Sequence, residues 1–171
     1  HINTVSPSYA GEIRTAAYGE GLEGILNARQ HQLSGILNGI DTQLYNPEKD
    51  DRIYAAYSTE DLSGKAENKK CLQERMGLPV KPDVPVMGMV TRLVSHKGLD
   101  LVKYILDELL STEDIQMVVL GSGDWVYENF FQEMQAKYPD KLAVVIGFIP
   151  ELSHKIYAGS DLFLMPSKSE P

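Results

Sequence analysis

From Val86 onward the chain alternates short, unbroken apolar runs with amphipathic helical stripes. The runs are Val86 to Val90, Ile115 to Leu120, Leu142 to Ile146 and Leu162 to Met165. Between them Leu99, Val102, Ile105, Leu106 and Leu109 recur at helical spacing, as do Val126, Phe130, Met134 and Tyr138; Leu152 to Ala158 reads as a third helix. A strand that is apolar at every position needs cover on both faces. Helices placed between parallel strands by right-handed crossovers supply that cover. The pattern predicts an α/β fold with a Rossmann-like, doubly wound parallel sheet, and a ligand site beyond the carboxyl ends of its strands. Such sheets have about six strands, and only the first four are visible, so one flank is expected to be an exposed edge open to self-association.

Before Val86 the signals are mixed. Thr4 to Tyr9 reads as a short strand entering a turn, with Pro7 restricting Ser6 to extended backbone. Leu22, Ile25 and Leu26 suggest a short helix, Leu33 to Leu37 a buried strand, and Asn38-Gly39 a turn. Asp41 to Asp51 is polar, contains Pro47 and reads as a hinge. Ser58 to Met76 is a charged helix with Thr59 as its N-cap and Gly77 as its stop, presenting Leu62, Ala66 and Leu72 to the rest of the protein. These breaks predict two parts, residues 1–41 and 42–171.

Composition narrows the function. Of 171 residues 43% are hydrophobic, enough for a packed core. The net charge of −8 argues against nucleic acid and anionic membrane as partners. The single cysteine, Cys71, excludes an internal disulfide and fits a reduced, cytosolic protein. There is no run of membrane-spanning length, no visible signal peptide and no initial Met, so a fragment, or a chain whose start was removed, is expected. His1, His31, His96 and His154 lack metal-ligand spacing, and no metal or cofactor is expected. Met76, Met87, Met89 and Met117 read as core.

The chemistry should lie at the strand ends. After the first run come Arg92 and, five residues on, Lys97, just before a helix begins. Two cations at a helix N-terminus can hold a diphosphate, Arg as a bidentate fork and Lys as a point charge. Spacing alone equally allows two solvated surface cations. After the second run, Gly121 and Gly123 permit either a close approach to a ligand or a simple turn with Asp124 as N-cap. After the third, Phe148 is a stacking platform for a base, or else a core or rim residue. After the fourth, Glu170 is a carboxylate facing the crevice or an N-cap for a following helix.

These residues occur within longer motifs. Ile36-Leu37-Asn38-Gly39-Ile40-Asp41 with Tyr45-Asn46-Pro47, the segment Asp61 to Lys69, the loop Thr91 to Asp100, Val119 to Asp124, and Ile156 to Ser167 follow one another in order. Together with Thr4 to Ala10 they resemble bacterial-type glycogen and starch synthases over essentially the whole chain. The resemblance implies the GT-B architecture, with residues 1–41 ending the N-terminal domain and the remainder opening the C-terminal nucleotide-sugar domain. It implies transfer of glucose from ADP-glucose to the non-reducing end of an α-1,4-glucan with retention, in a bacterial cytoplasm or a plant plastid. By position, Arg92 and Lys97 would bind the diphosphate and stabilise it as a leaving group. Glu170 would contact the donor glucose and serve catalysis, Asn38 would reach the donor from the domain junction, and Phe148 would pack on the adenine. Ser167-Lys168-Ser169-Glu170-Pro171 departs from the family's S-R-F-E-P, replacing an Arg fork by Lys168 and an aromatic ring by Ser169. A GT-B transferase using another sugar nucleotide, or a domain that only binds a phosphate-bearing ligand, are the alternatives. A fragment holding half a cleft is expected to be inactive alone.

Overall fold

The computed structural model of the chain describes residues 1–168. His1–Thr42 form one compact unit and the chain from Gln43 onward a second. In the first unit, strands β1 (Ile2–Val5) and β2 (Leu33–Ile36) pair in parallel, Ile2 opposite Leu33 and Val5 opposite Ile36. Helices α1 (Pro7–Glu12) and α2 (Glu23–Ala28) lie between them in sequence. Ser6 is not extended. Its φ is 63° and its Oγ accepts from Tyr9 N (3.0 Å), capping α1 while Pro7 occupies the first helical turn. The cap hydrogen bond outweighs the preference that the following proline imposes.

The second unit is a parallel sheet in the order β5-β4-β3-β6. Its elements are α3 (Ser63–Arg75), β3 (Val86–Val90), α4 (Leu99–Thr112), β4 (Gln116–Gly121), α5 (Trp125–Lys137), β5 (Leu142–Ile146), α6 (Pro150–Gly159) and β6 (Leu162–Phe163). Every residue of β4 is buried. Its alternate side chains feed two cores, as the two-residue period of a strand requires. Met117 and Val119 join Met89, Leu106 and Phe131 under α4 and α5. Val118 and Leu120 join Leu72, Leu152 and Ile156 under α3 and α6. The doubly wound sheet expected from the apolar runs is thus present, with both faces covered. At the outer edge of β5, Gln135 Oε1 accepts from Val144 N (2.5 Å), and at the other edge Leu162 and Phe163 are exposed.

Further details depart from the sequence reading. The strand expected to be buried at Leu33 to Leu37 is at most half-buried, and Ile36 and Leu37 are exposed. The helix expected from Ser58 starts only at Ser63, because Ser58 Oγ accepts from the backbone N–H groups of Glu60 and Asp61 (3.1 Å each). Asp61 Oδ1 then takes Ser63 N (2.9 Å), so Thr59 is not the cap. These local turns compete with helix. Leu62 and Ala66 are exposed; α3 buries Leu72 as expected, and with it Gly64, Asn68, Lys69 and Gln73. On α5 the buried stripe runs through Tyr127, Phe131 and Met134, leaving Val126 exposed.

The polar face of α3 has clear tasks. Lys65 Nζ donates to Ala158 O (2.7 Å) and Ser160 O (2.9 Å), closing the carboxyl end of α6. Burial pulls its ammonium below the ordinary lysine value, and the charge of Asp161 opposes this. Lys69 pairs with Asp161 (2.8 Å), whose Oδ2 also accepts from Val86 N (2.8 Å) at the start of β3. Asn68 is fully buried. Its Oδ1 accepts from Tyr54 N (2.9 Å) and its Nδ2 donates to Ala55 O (2.6 Å) and Gly64 O (2.8 Å), which fastens the connector before α3 to the helix. Asn68→Ala takes the side-chain partner from Tyr54 N and Ala55 O and should cost roughly 2–4 kcal/mol in urea denaturation. A midpoint equal to wild type would contradict this account of the motif.

Candidate functional site

The site is built where β3 runs past its last paired residue. Thr91 N donates to Leu120 O (3.1 Å), Leu93 N to Ser122 O (2.9 Å), and Asp124 N returns to Leu93 O (2.8 Å). The extended loop therefore lies against the end of β4, with a bridge between Leu93 and Gly123. Only glycine fits beneath it. A Cβ on Gly121 would stand 2.0 Å from Thr91 O, and one on Gly123 would stand 2.4 Å from Leu93 O. The N–H of Gly123 is already given to Glu128 Oε1 (2.8 Å). The close approach that these two glycines allow is made by the protein's own backbone.

With the loop held this way, the ends of three strands border a cleft of about 300 Å³ formed by residues 90–92, 120–122 and 147–150, with Tyr45 and three side chains of α6. Gly147 N donates to Gly121 O (2.9 Å), joining the β4 and β5 rims. Arg92 borders the cleft, is exposed, and donates from Nη2 to His96 Nε2 (3.2 Å). Phe148 also borders it and is 88% exposed, which rules out a core role for the ring.

The expected residues divide accordingly. Arg92, Gly121 and Phe148 meet at the cleft. Gly123 is one turn away under Leu93. Lys97 sits half-buried in the 3-10 turn Ser95–Lys97 that leads into α4, beside the cleft's lining rather than in it. Asn38 is exposed and belongs to the first unit. Glu170 lies outside the described residues. The segment leading to it is anchored: Lys168 N donates to His96 O (2.9 Å), and Lys168 Nζ pairs with Asp100 Oδ2. Gly98, with φ at 71°, lets Pro166 O come within 2.0 Å of where a Cβ would be. The strand-end loops after β3 and β6 are thereby packed together.

Sequence reasoning missed the lower wall. His154 is buried, and its Nδ1 lies 2.5 Å from Asp50 Oδ2. Tyr45 stacks flat on the imidazole, centroids 5.0 Å and planes 5° apart. Asp50 also accepts from Arg52 Nε (2.6 Å). Burial works to raise the Asp50 carboxyl, but the hydrogen bonds from Arg52 and then His154 hold it below its ordinary value. An ionised carboxylate has no hydrogen to give, so Nδ1 of His154 carries the proton of that bond. A signal was present. His154 and Lys155 fall between Leu152 and Ile156 on a helix that must bury that side, and a buried polar side chain demands a partner.

Residues 73–171 match the family described as Glycosyl transferases group 1, and residues 1–28 match the starch synthase catalytic domain family. The chain belongs to the group 1 glycosyl transferases. It is 53% identical over 171 residues to the glycogen synthase of Bacillus subtilis and 55% identical over 170 residues to that of Geobacillus stearothermophilus, covering 100% and 99% of this chain and 35% of each relative. The group 1 chain therefore spans about a third of the length of these curated relatives. Among solved structures it is similar to the catalytic domain of starch synthase IV from Arabidopsis thaliana bound to ADP and acarbose. The TM-score is 0.90 and the identity 41%, over 99% of this chain and 35% of that one. Anabaena HepE in complex with UDP shares the fold at 15% identity, with a TM-score of 0.54 over 90% of this chain and 37% of that one.

In this group 1 transferase chain the Asp50 contacts give a pH signature. A carboxyl held below its ordinary value contributes stability in full above the unfolded-state pKa and loses it as pH falls through the folded value. Asp50→Asn should therefore be destabilised at pH 7, with the gap to wild type narrowing below about pH 4. Paired urea titrations across that range test this; a gap that stays constant would contradict the ionised, hydrogen-bonded Asp50.

Proposed function

We propose that this chain forms the donor side of a glucosyltransferase that moves glucose from ADP-glucose to the non-reducing end of an α-1,4-glucan with retention. The observation that carries this reading is the strand-end cleft, bordered by the exposed guanidinium of Arg92 and the exposed ring of Phe148. Support comes from the glycogen synthases that match the whole chain and from the similar starch synthase structure bound to ADP. In this reading residues 1–41 end the first domain of a two-domain GT-B enzyme and residues 42–171 open the second. The exposed Leu162 and Phe163 on β6 also support association through that edge.

Each residue then has a physical task. Negative charge grows on the diphosphate as the bond to glucose breaks. Arg92 can share it through paired N–H donors, and Lys97 adds a second charge at the N-terminus of α4. The ion pair Lys168–Asp100 and the contact of Pro166 with Gly98 tie the chain before Glu170 to this same turn. Glu170 would then meet the donor glucose, and Asn38 would reach it from the other domain. Phe148 would take the adenine on its open face, a contact that needs no hydroxyl.

Calorimetry with ADP tests the phosphate assignment. Arg92→Ala and Lys97→Ala should each weaken ADP by about 10- to 100-fold, the scale of lost charge-assisted hydrogen bonds. Melting temperatures should stay near wild type. Unchanged ADP affinity in both variants would remove them from the site. In the complete polypeptide Glu170→Gln should nearly abolish glucan elongation while the protein remains folded; retained turnover would exclude Glu170 from catalysis.

A further inference from the structure

The donor reading assigns the diphosphate and one face of the base, and leaves the Tyr45 wall of the cleft without a role. Tyr45 stands on the connector before α3, and its position is fixed from several directions. Its ring lies on His154. His154 is held by Asp50, and Asp50 by Arg52. Arg52 Nη2 returns to Leu44 O (2.6 Å), the residue before Tyr45, while Lys155 Nζ donates to Arg52 O (2.5 Å). This closes a ring of contacts around one side chain.

A clamp that only fastened the connector would have no use for an open aromatic ring at its end. Tyr45 is 51% exposed although one face is covered by imidazole, and it borders the same cleft as Arg92 and Phe148. A ring ordered before the ligand arrives does not lose rotamer freedom on binding. It presents a flat π-surface to any base that enters.

We infer that Tyr45 is a second nucleobase-recognition residue of the donor cleft, with Asp50 and His154 as positioning residues that hold its ring for stacking. The inference rests on the donor-site reading above. Stacking accounts for base recognition only, so the role separates the base from the phosphates.

Calorimetric titration of the full chain with ADP and with pyrophosphate tests it. Tyr45→Ala should weaken ADP about 5- to 100-fold, the range of base–aromatic stacking, and leave pyrophosphate within about twofold. Tyr45→Phe, which keeps the ring, should retain wild-type ADP affinity. Asp50→Asn should weaken ADP less than Tyr45→Ala does, again without changing pyrophosphate. Should Tyr45→Ala lose its melting transition, Tyr45→Leu keeps apolar bulk over His154 without a ring and is expected to show the same selective loss. Equal weakening of ADP and pyrophosphate, or undiminished ADP binding in the ring-less variant, would overturn the inference while leaving the donor cleft in place. A folded wild-type chain that binds pyrophosphate but gains nothing from the adenosine of ADP would also overturn it. A folded wild-type chain that binds neither would remove the donor reading and this inference together.

Discussion

The architecture turns on one close contact, the backbone of Thr91 to Leu93 lying on the glycines that end β4. Parallel pairing of β3 and β4 brings the two strand ends level, and the missing Cβ atoms let the loop continue across. Arg92 is carried to the rim by that continuation. The same loop then turns through Ser95–Lys97 into α4, so the second cation and the helix N-terminus are placed by the same local constraint. A side chain at Gly121 would have to displace Thr91 O, and the cleft with it.

A second layer of polar contacts secures what the sheet cannot. Covering helices pack on a sheet through apolar faces, yet the inward face of α3 carries Asn68, Lys69 and Gln73. Their partners are backbone groups, one carboxylate and one buried amide: the connector at Tyr54 and Ala55, the chain at Lys81 and Pro82, Asp161 before β6, and Gln116 on β4. Lys65 closes the end of α6 in the same way. Buried polar groups satisfied by specific partners fix one arrangement, where an apolar face would tolerate several. The wall made by Tyr45, His154 and Asp50 follows the same principle at the middle of α6.

Much of this was legible beforehand because unbroken apolar runs leave a chain few options. β3, β4 and β5 fall where the runs do, and Arg92 and Phe148 reach the cleft because strand ends are where a doubly wound sheet is open. Other features depended on contacts distant in sequence. Gly121 and Gly123 allow either a ligand or a chain segment to approach, and the segment that lies on them is a loop about 30 residues earlier, which no local pattern announces. The start of α3 is later than its sequence pattern suggests because Ser58 and Asp61 favour turns as strongly as helix. Asp50 and His154 lie 104 residues apart, and no local pattern joins an acid in a linker to a histidine on a helix. Glu170 was named from its motif and lies outside the described residues.

The central claim is that a nucleoside diphosphate occupies the cleft at the carboxyl ends of β3, β4 and β5. Backbone amide shifts of the isotope-labelled chain, followed by NMR as ADP is added, report on it directly. The account predicts saturable shifts largest at Thr91, Arg92, Gly121, Gly147 and Phe148, fading along each strand towards its amino end. Shifts centred instead on the groove between α5 and β5, around Gln132, Gln135 and Val144, or the absence of any saturable shift in a folded sample, would contradict it.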